Sequence, residues 1–91
     1  MHAVVVRVTI NDFDGAQQVL EEVVVPRASG APGFVAGYWT RGEDDSSGLS
    51  MIVFESEDAA KGAAQMIQSM GAPSDAVTLE GVEVRSVVAH A

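Results

Sequence analysis

The chain has 91 residues, a formal net charge of −8 from 5 Lys and Arg against 13 Asp and Glu, 47% hydrophobic residues and no cysteine. This length fits one domain spanning residues 1–91, and the missing thiols exclude a disulfide scaffold or a thiolate metal centre. Five scattered cations make no basic patch for nucleic acid, an anionic membrane surface would repel the chain, and no apolar run approaches the ~20 residues of a membrane span.

The first residues, Met1-His2-Ala3-Val4-Val5-Val6-Arg7, carry no basic stretch ahead of the apolar run. They do not read as a signal peptide, and a cytoplasmic location is expected. The apolar fraction of 47% excludes nine glycines. Globular chains reach ~45–50% only when Gly is counted. Some of this apolar surface is therefore expected to be buried by something other than the chain itself.

His2 to Ile10 is short, rich in β-branched residues and ends at Asn11-Asp12, which predicts a strand. Asp14 to about Val25 predicts a helix, with Ala16, Val19, Leu20, Val23 and Val24 on one apolar stripe. Asp12 or Asp14 is its expected cap, and Pro26 is expected to end or kink it. Ser29 to Gly33 is a loop. Phe34 to Arg41 is a second strand weakened by Gly37, Gly42 to Gly48 a polar turn, and Leu49 to Phe54 a third strand, together a hairpin. Ser56 is the expected N-cap of a second helix with Ala59, Ala63, Met66, Ile67 and Met70 on its stripe, Glu57 and Lys61 paired, and Gly71 at its end. Val77 to Ala89 is the last strand region, with Glu80-Gly81 a kink or bulge.

The order β-α-β-β-α-β is the ferredoxin-like α+β plan, a four-stranded antiparallel sheet with two helices on one face. Two helices cover one face only, so the other should be polar in a monomer. Leu49 to Phe54 is instead apolar on both parities apart from Ser50, and Val5 and Val87 add to the second face. Sheet-to-sheet packing in a homodimer is the economical answer. Charge favours a register with Arg7 opposite Glu83, which puts Arg7, Glu83 and Arg85 on that second face.

Pro32-Gly33-Phe34-x-x-Gly37-x-Trp39, followed by Val53-Phe54-Glu55-Ser56-Glu57-x-Ala59-Ala60, resembles the dimeric α/β-barrel superfamily, and within it the antibiotic-biosynthesis-monooxygenase-like group. The resemblance covers nearly the whole chain. It implies a homodimer with an eight-stranded barrel between subunits. That group includes cofactor-independent oxygenases of aromatic polyketides, haem-degrading enzymes and members of no known activity. The haem-degrading pattern has an Asn where this chain has Val6, a Trp where it has Phe54, and a His beyond the second helix where it has none before His90. Haem degradation is thereby disfavoured. The polyketide oxygenases use Asn, Trp, Tyr and Arg, but those positions do not match this chain residue by residue, and no catalytic role is transferred.

Four residues are candidates for ligand binding: Arg7, Tyr38, Trp39 and Arg85. Tyr38 and Trp39 are strand neighbours, so one faces the helices and the other the dimer side, where each can stack on a flat substrate or serve as a packing anchor. Arg7, Glu83 and Arg85 form either an acid-binding lining of the barrel or an ion-paired patch. His2 and His90 approach each other if the first and last strands pair antiparallel, but a metal site would need a carboxylate beside them, so no metal is expected. Asp44 and Asp45 read as a solvated hairpin tip, without the alternating oxygen ligands of a calcium loop. No cofactor motif occurs.

Three functions fit: a small-ligand-binding barrel protein, a cofactor-independent oxygenase or isomerase that removes a proton from a quinone-like substrate which then reacts with O₂, and an interaction module. The sequence presents no outstanding general base, which favours the first over the second.

Overall fold

The computed structural model describes residues Met1–Ala91. In chain order it contains β1 (His2–Ile10), α1 (Phe13–Val19), a π-helical turn (Leu20–Val24), α2 (Val25–Ser29), β2 (Phe34–Arg41), β3 (Ser47–Phe54), α3 (Glu57–Met70) and β4 (Val77–Ser86). The segments α1, π turn and α2 run on without a break as one helical rod. The strands form one antiparallel sheet in the order β2-β3-β1-β4. This is the ferredoxin-like α+β fold expected from the sequence. No helix is long and apolar enough to cross a membrane.

The first rod continues past Pro26, where the sequence predicts a stop or kink. Proline lacks the N–H for the helical ladder, and its ring collides with the carbonyl four residues back. The π turn just before it resolves the conflict. Val25 N–H bonds to the Leu20 carbonyl, five residues back, so the backbone is already widened where the ring arrives. Pro26 then occupies the opening turn of α2, where an N–H is dispensable.

The second helix follows its sequence signals closely. Ser56 Oγ accepts from Ala59 N–H at 3.1 Å, Lys61 Nζ donates to Glu57 Oε1 at 3.0 Å, and Gly71 ends the helix with φ 70°. Its orientation differs from the expectation. The buried residues of α3 are Ala60 and Ala64, whereas Met66 and Met70 are 58% and 54% exposed. The small Ala face lets α3 approach the sheet closely; Ala59, Ala63 and Ile67 of the expected stripe still pack against the core, half-buried, while Met66 and Met70 turn outward.

Only eight of the 91 residues are buried, so the core is small. Val4, Val6, Ile52 and Phe54 from the centre of the sheet meet Ala60 and Ala64 of α3. Phe34 adds an edge-on contact to the Phe54 ring, with centroids 6.4 Å apart. Gly33, at φ 78°, turns the chain into β2 against α3, and a Cβ there would lie 2.9 Å from that of Ala59.

The β1–β4 register corrects the charge-based expectation. Arg7 stands opposite Gly81, Val5 opposite Glu83 and Ala3 opposite Arg85. The register shifts between Arg7 and Val8, leaving Glu80 as the extra residue of the predicted bulge. Arg7 therefore reaches Glu83 diagonally, at 3.4 Å, and the two residues still share a face. The last strand stops at Ser86, short of the expected Ala89, and β3 begins two residues early, at Ser47.

Candidate functional site

The two helical rods do not close over the sheet. No residue of α1, the π turn or α2 is buried. The stripe predicted to pack into the core (Ala16, Val19, Leu20, Val23 and Val24) instead lines a cavity of about 820 Å³. The α3 stripe, from Ala59 to Met70, forms the facing wall. Val6, Val8, Ile52, Phe54, Trp39 and Leu79 rise from the sheet as the floor. Twenty of the 27 lining residues are hydrophobic, and the charged ones are Arg27 and Asp58 alone.

Trp39 lies on this side because the register of β2, which shifts between Phe34 and Ala36, places Phe34, Gly37 and Trp39 opposite Phe54, Ile52 and Ser50, all on the helix face. Gly37, read from the sequence as a weak point of the strand, makes room for the indole. A Cβ at Gly37 would come within 2.6 Å of the Trp39 ring. The indole also borders a smaller cavity of about 110 Å³, shared with Phe13, Leu20 and Arg41. There the Arg41 guanidinium sits 4.1 Å above the Phe13 ring and bonds Asp45 at 2.9 Å, tying the start of the first rod to the hairpin.

The four candidate ligand residues do not converge. Trp39 faces the helices, while Tyr38, Arg7 and Arg85 stand on the open face. Tyr38 is 68% exposed. Glu83 Oε1 accepts from Arg85 Nη2 at 3.1 Å and from Arg7 Nη1 at 3.4 Å, so the two arginines are joined through one carboxylate. Pairing across the sheet gives the row Tyr38, Met51, Val5, Glu83. The open face is thus apolar towards β2 and β3 and charged towards β4. Leu49 and Met51 are about half exposed there, whereas Ala3 and Val5 are buried.

His2 does not meet His90, because Ser86 is its partner across the strands and His90 lies beyond the end of β4. Its Nε2 is instead 3.2 Å from Glu57 Oε2 and 3.3 Å from Ser86 Oγ. The Lys61 ammonium, and secondarily His2, hold the Glu57 carboxyl below its ordinary value. At the hairpin tip, the Ser46 backbone N–H, 3.0 Å from Asp44 Oδ1, holds the Asp44 carboxyl low. Asp45 takes the left-handed conformation there, with φ 59°. These contacts give the Asp44-Asp45 pair a turn-forming role.

Neither Arg27 nor Asp58 falls in a sequence motif for ligand binding. A usable signal exists for Arg27. Of the two cations on helical segments, Lys61 has Glu57 four residues before it, whereas Arg27 has no acid three or four residues away on either side.

No family model matches the chain, and no curated protein matches it by sequence. Solved structures do match. HapK from Hahella chejuensis superposes with a TM-score of 0.70 at 12% identity, covering 100% of this chain and 96% of that one. A dimeric ferredoxin-like protein from an uncultured marine organism gives 0.61 at 10% identity, covering 99% and 97%. A monooxygenase from the gene ActVA-Orf6 of Streptomyces coelicolor, in complex with nanaomycin D, gives 0.57 at 12% identity, covering 99% and 92%. At these identities the likeness is one of fold, and the chain is a ferredoxin-like α+β protein whose structural neighbours include a dimeric ferredoxin-like protein and a monooxygenase.

Proposed function

We propose that the protein is a homodimer in the dimeric α/β-barrel arrangement, and that each protomer binds a small, mostly apolar aromatic ligand between its helices and its sheet. The cavity carries this reading. Its volume of about 820 Å³ lies within the ~300–1,000 Å³ typical of ligand sites. Its walls are the apolar stripes of two helical rods and its floor is the apolar face of the sheet. Trp39 is the aromatic ligand contact.

The open face serves the dimer. Tyr38, Leu49 and Met51 offer apolar area that a monomer leaves in water. Arg7 and Arg85 reach the same interface already neutralised in part by Glu83, which lowers the cost of burying them. A dimeric structural neighbour supports this arrangement. Light scattering at micromolar concentration should give twice the chain mass. A clean monomer would remove the dimer from the proposal.

Because Trp39 is the only tryptophan, its fluorescence reports the cavity directly. Titration with anthracene-sized aromatics should quench it saturably, and an unchanged signal across such a series would refute ligand binding there. Oxygenase activity is the second reading, favoured by the likeness to a monooxygenase. Asp58 is the one carboxylate on the cavity wall and so its candidate base. Oxygen uptake with a reduced quinol, lost in Asp58→Asn, would establish that reading, whereas binding without uptake leaves a binding protein.

A further inference from the structure

We infer that the cavity selects apolar molecules ending in a carboxylate, and that Arg27 is the residue that reads the carboxylate. This rests on the ligand-binding reading above and narrows its ligand class.

The charge inventory points to Arg27. Of the five Lys and Arg residues, Arg7 and Arg85 hold Glu83, Arg41 holds Asp45 and Lys61 holds Glu57. Arg27 holds no carboxylate, in a chain with 13 Asp and Glu. Its Nη1 lies 3.7 Å from Met70 Sδ, so the side chain reaches across from α2 to the last residue of α3. A thioether is a weak acceptor, and guanidinium has five donors. The position near the C-terminal end of α2 favours a cation. That preference does not explain why the guanidinium leaves its own helix end and meets the facing wall.

The rest of the cavity sharpens the selection. Its walls give a bound anion no other cation. Its one carboxylate, Asp58, lies twelve residues before Met70 along α3, about 18 Å away at the rise of an α-helix. An anion beside Arg27 is thus far from the lining's own negative charge. A carboxylate can take two parallel N–H bonds from the guanidinium while the apolar remainder lies among Val23, Met66 and the floor. Met70, half exposed, is the side chain that must yield.

Two matched probes separate this inference from the reading it rests on: 9-anthracenecarboxylate and 9-anthracenemethanol, titrated against Trp39 fluorescence at pH 7. The carboxylate should bind about tenfold more tightly or better, since a charge-assisted bidentate pair outweighs a neutral hydrogen bond. Arg27→Gln should bring the two within about twofold and leave the alcohol unchanged. Lys61→Gln, which removes the same net charge elsewhere, should preserve the preference. Equal binding to the native protein, or equal loss in both variants, overturns the role of Arg27 and leaves the apolar cavity standing. Failure of both probes to bind overturns the cavity reading and this inference with it. Circular dichroism melts of both variants confirm that folded protein is compared.

Discussion

The two helical rods lie over the same sheet and use their apolar stripes differently. α3 docks through Ala60 and Ala64, which are small enough to bring its backbone down onto Val4 and Phe54. No residue of the first rod is fully buried, and the Val and Leu side chains of its stripe face the cavity, half-buried except for the exposed Val23. The difference shows how a small protein keeps a cavity open. One helix bears the structural packing, which frees the other to stand off. In a domain with only eight buried residues, this division concentrates stability on one side of the site.

Deletions on the two sides should separate by the largest margin. Phe54, 1% exposed beneath α3, should cost ~3–5 kcal/mol when changed to Ala. Val23→Ala on the first rod should cost about 0.5 kcal/mol or less, because the side chain is already partly in contact with solvent. Urea melts of both variants measure the gap, and comparable losses would show that the first rod does contribute to the core. Additions give the next largest effect. Ala60→Leu overpacks a fully buried position and should cost ~1–3 kcal/mol. Ala28→Leu, half-buried on the cavity side of the first rod and outside the core cluster, should be tolerated while weakening aromatic ligands. A destabilised Ala28→Leu protein would show that the first rod packs more tightly than its open stripe implies.

Gly62 tests the same helix in the opposite direction. A Cβ built there meets nothing within 4 Å, so Gly62→Ala should stabilise by ~0.5–1 kcal/mol through helix propensity alone. A lower melting temperature would reveal an unseen constraint. The smallest effect is electrostatic. The Glu57 carboxyl titrates below its ordinary value of 4.5 in the folded chain, chiefly through Lys61. Its ionised form therefore favours folding above pH 4.5, and that contribution disappears as pH falls through the lower folded value. The stability difference between native protein and Glu57→Gln should shrink on acidification from pH 7 to pH 3. A difference independent of pH would exclude the ion pair as its source.

Much of this arrangement is legible in the sequence. The strand order, the Ser56 cap, the Gly71 stop, the bulge at Glu80 and the opposite facing of Tyr38 and Trp39 all follow from local rules. The departures share a cause, which is that local patterns do not specify how closely two elements approach. The apolar stripes were visible as Val19, Leu20, Met66 and Met70, and a stripe of that kind ordinarily packs. Its use as a cavity wall depended on the Ala pair that let α3 in. Likewise, pairing Arg7 directly with Glu83 was reasonable electrostatically. The bulge and the hydrogen-bond ladder set the register instead, and the long Arg side chain covered the two-residue offset. The open sheet face accounts for only part of the apolar excess, since Val23, Met66 and Met70 place the rest around the cavity.

The π turn before Pro26 has a geometric consequence of its own. An α-helix advances each side chain by about 100° around its axis. A turn that holds one extra residue therefore resets the phase of everything after it. The azimuth of Pro26 and of Arg27 is inherited from that insertion, as is the line along which the rod meets the loop into β2. The widened turn both lets a proline pass and aims the residues beyond it.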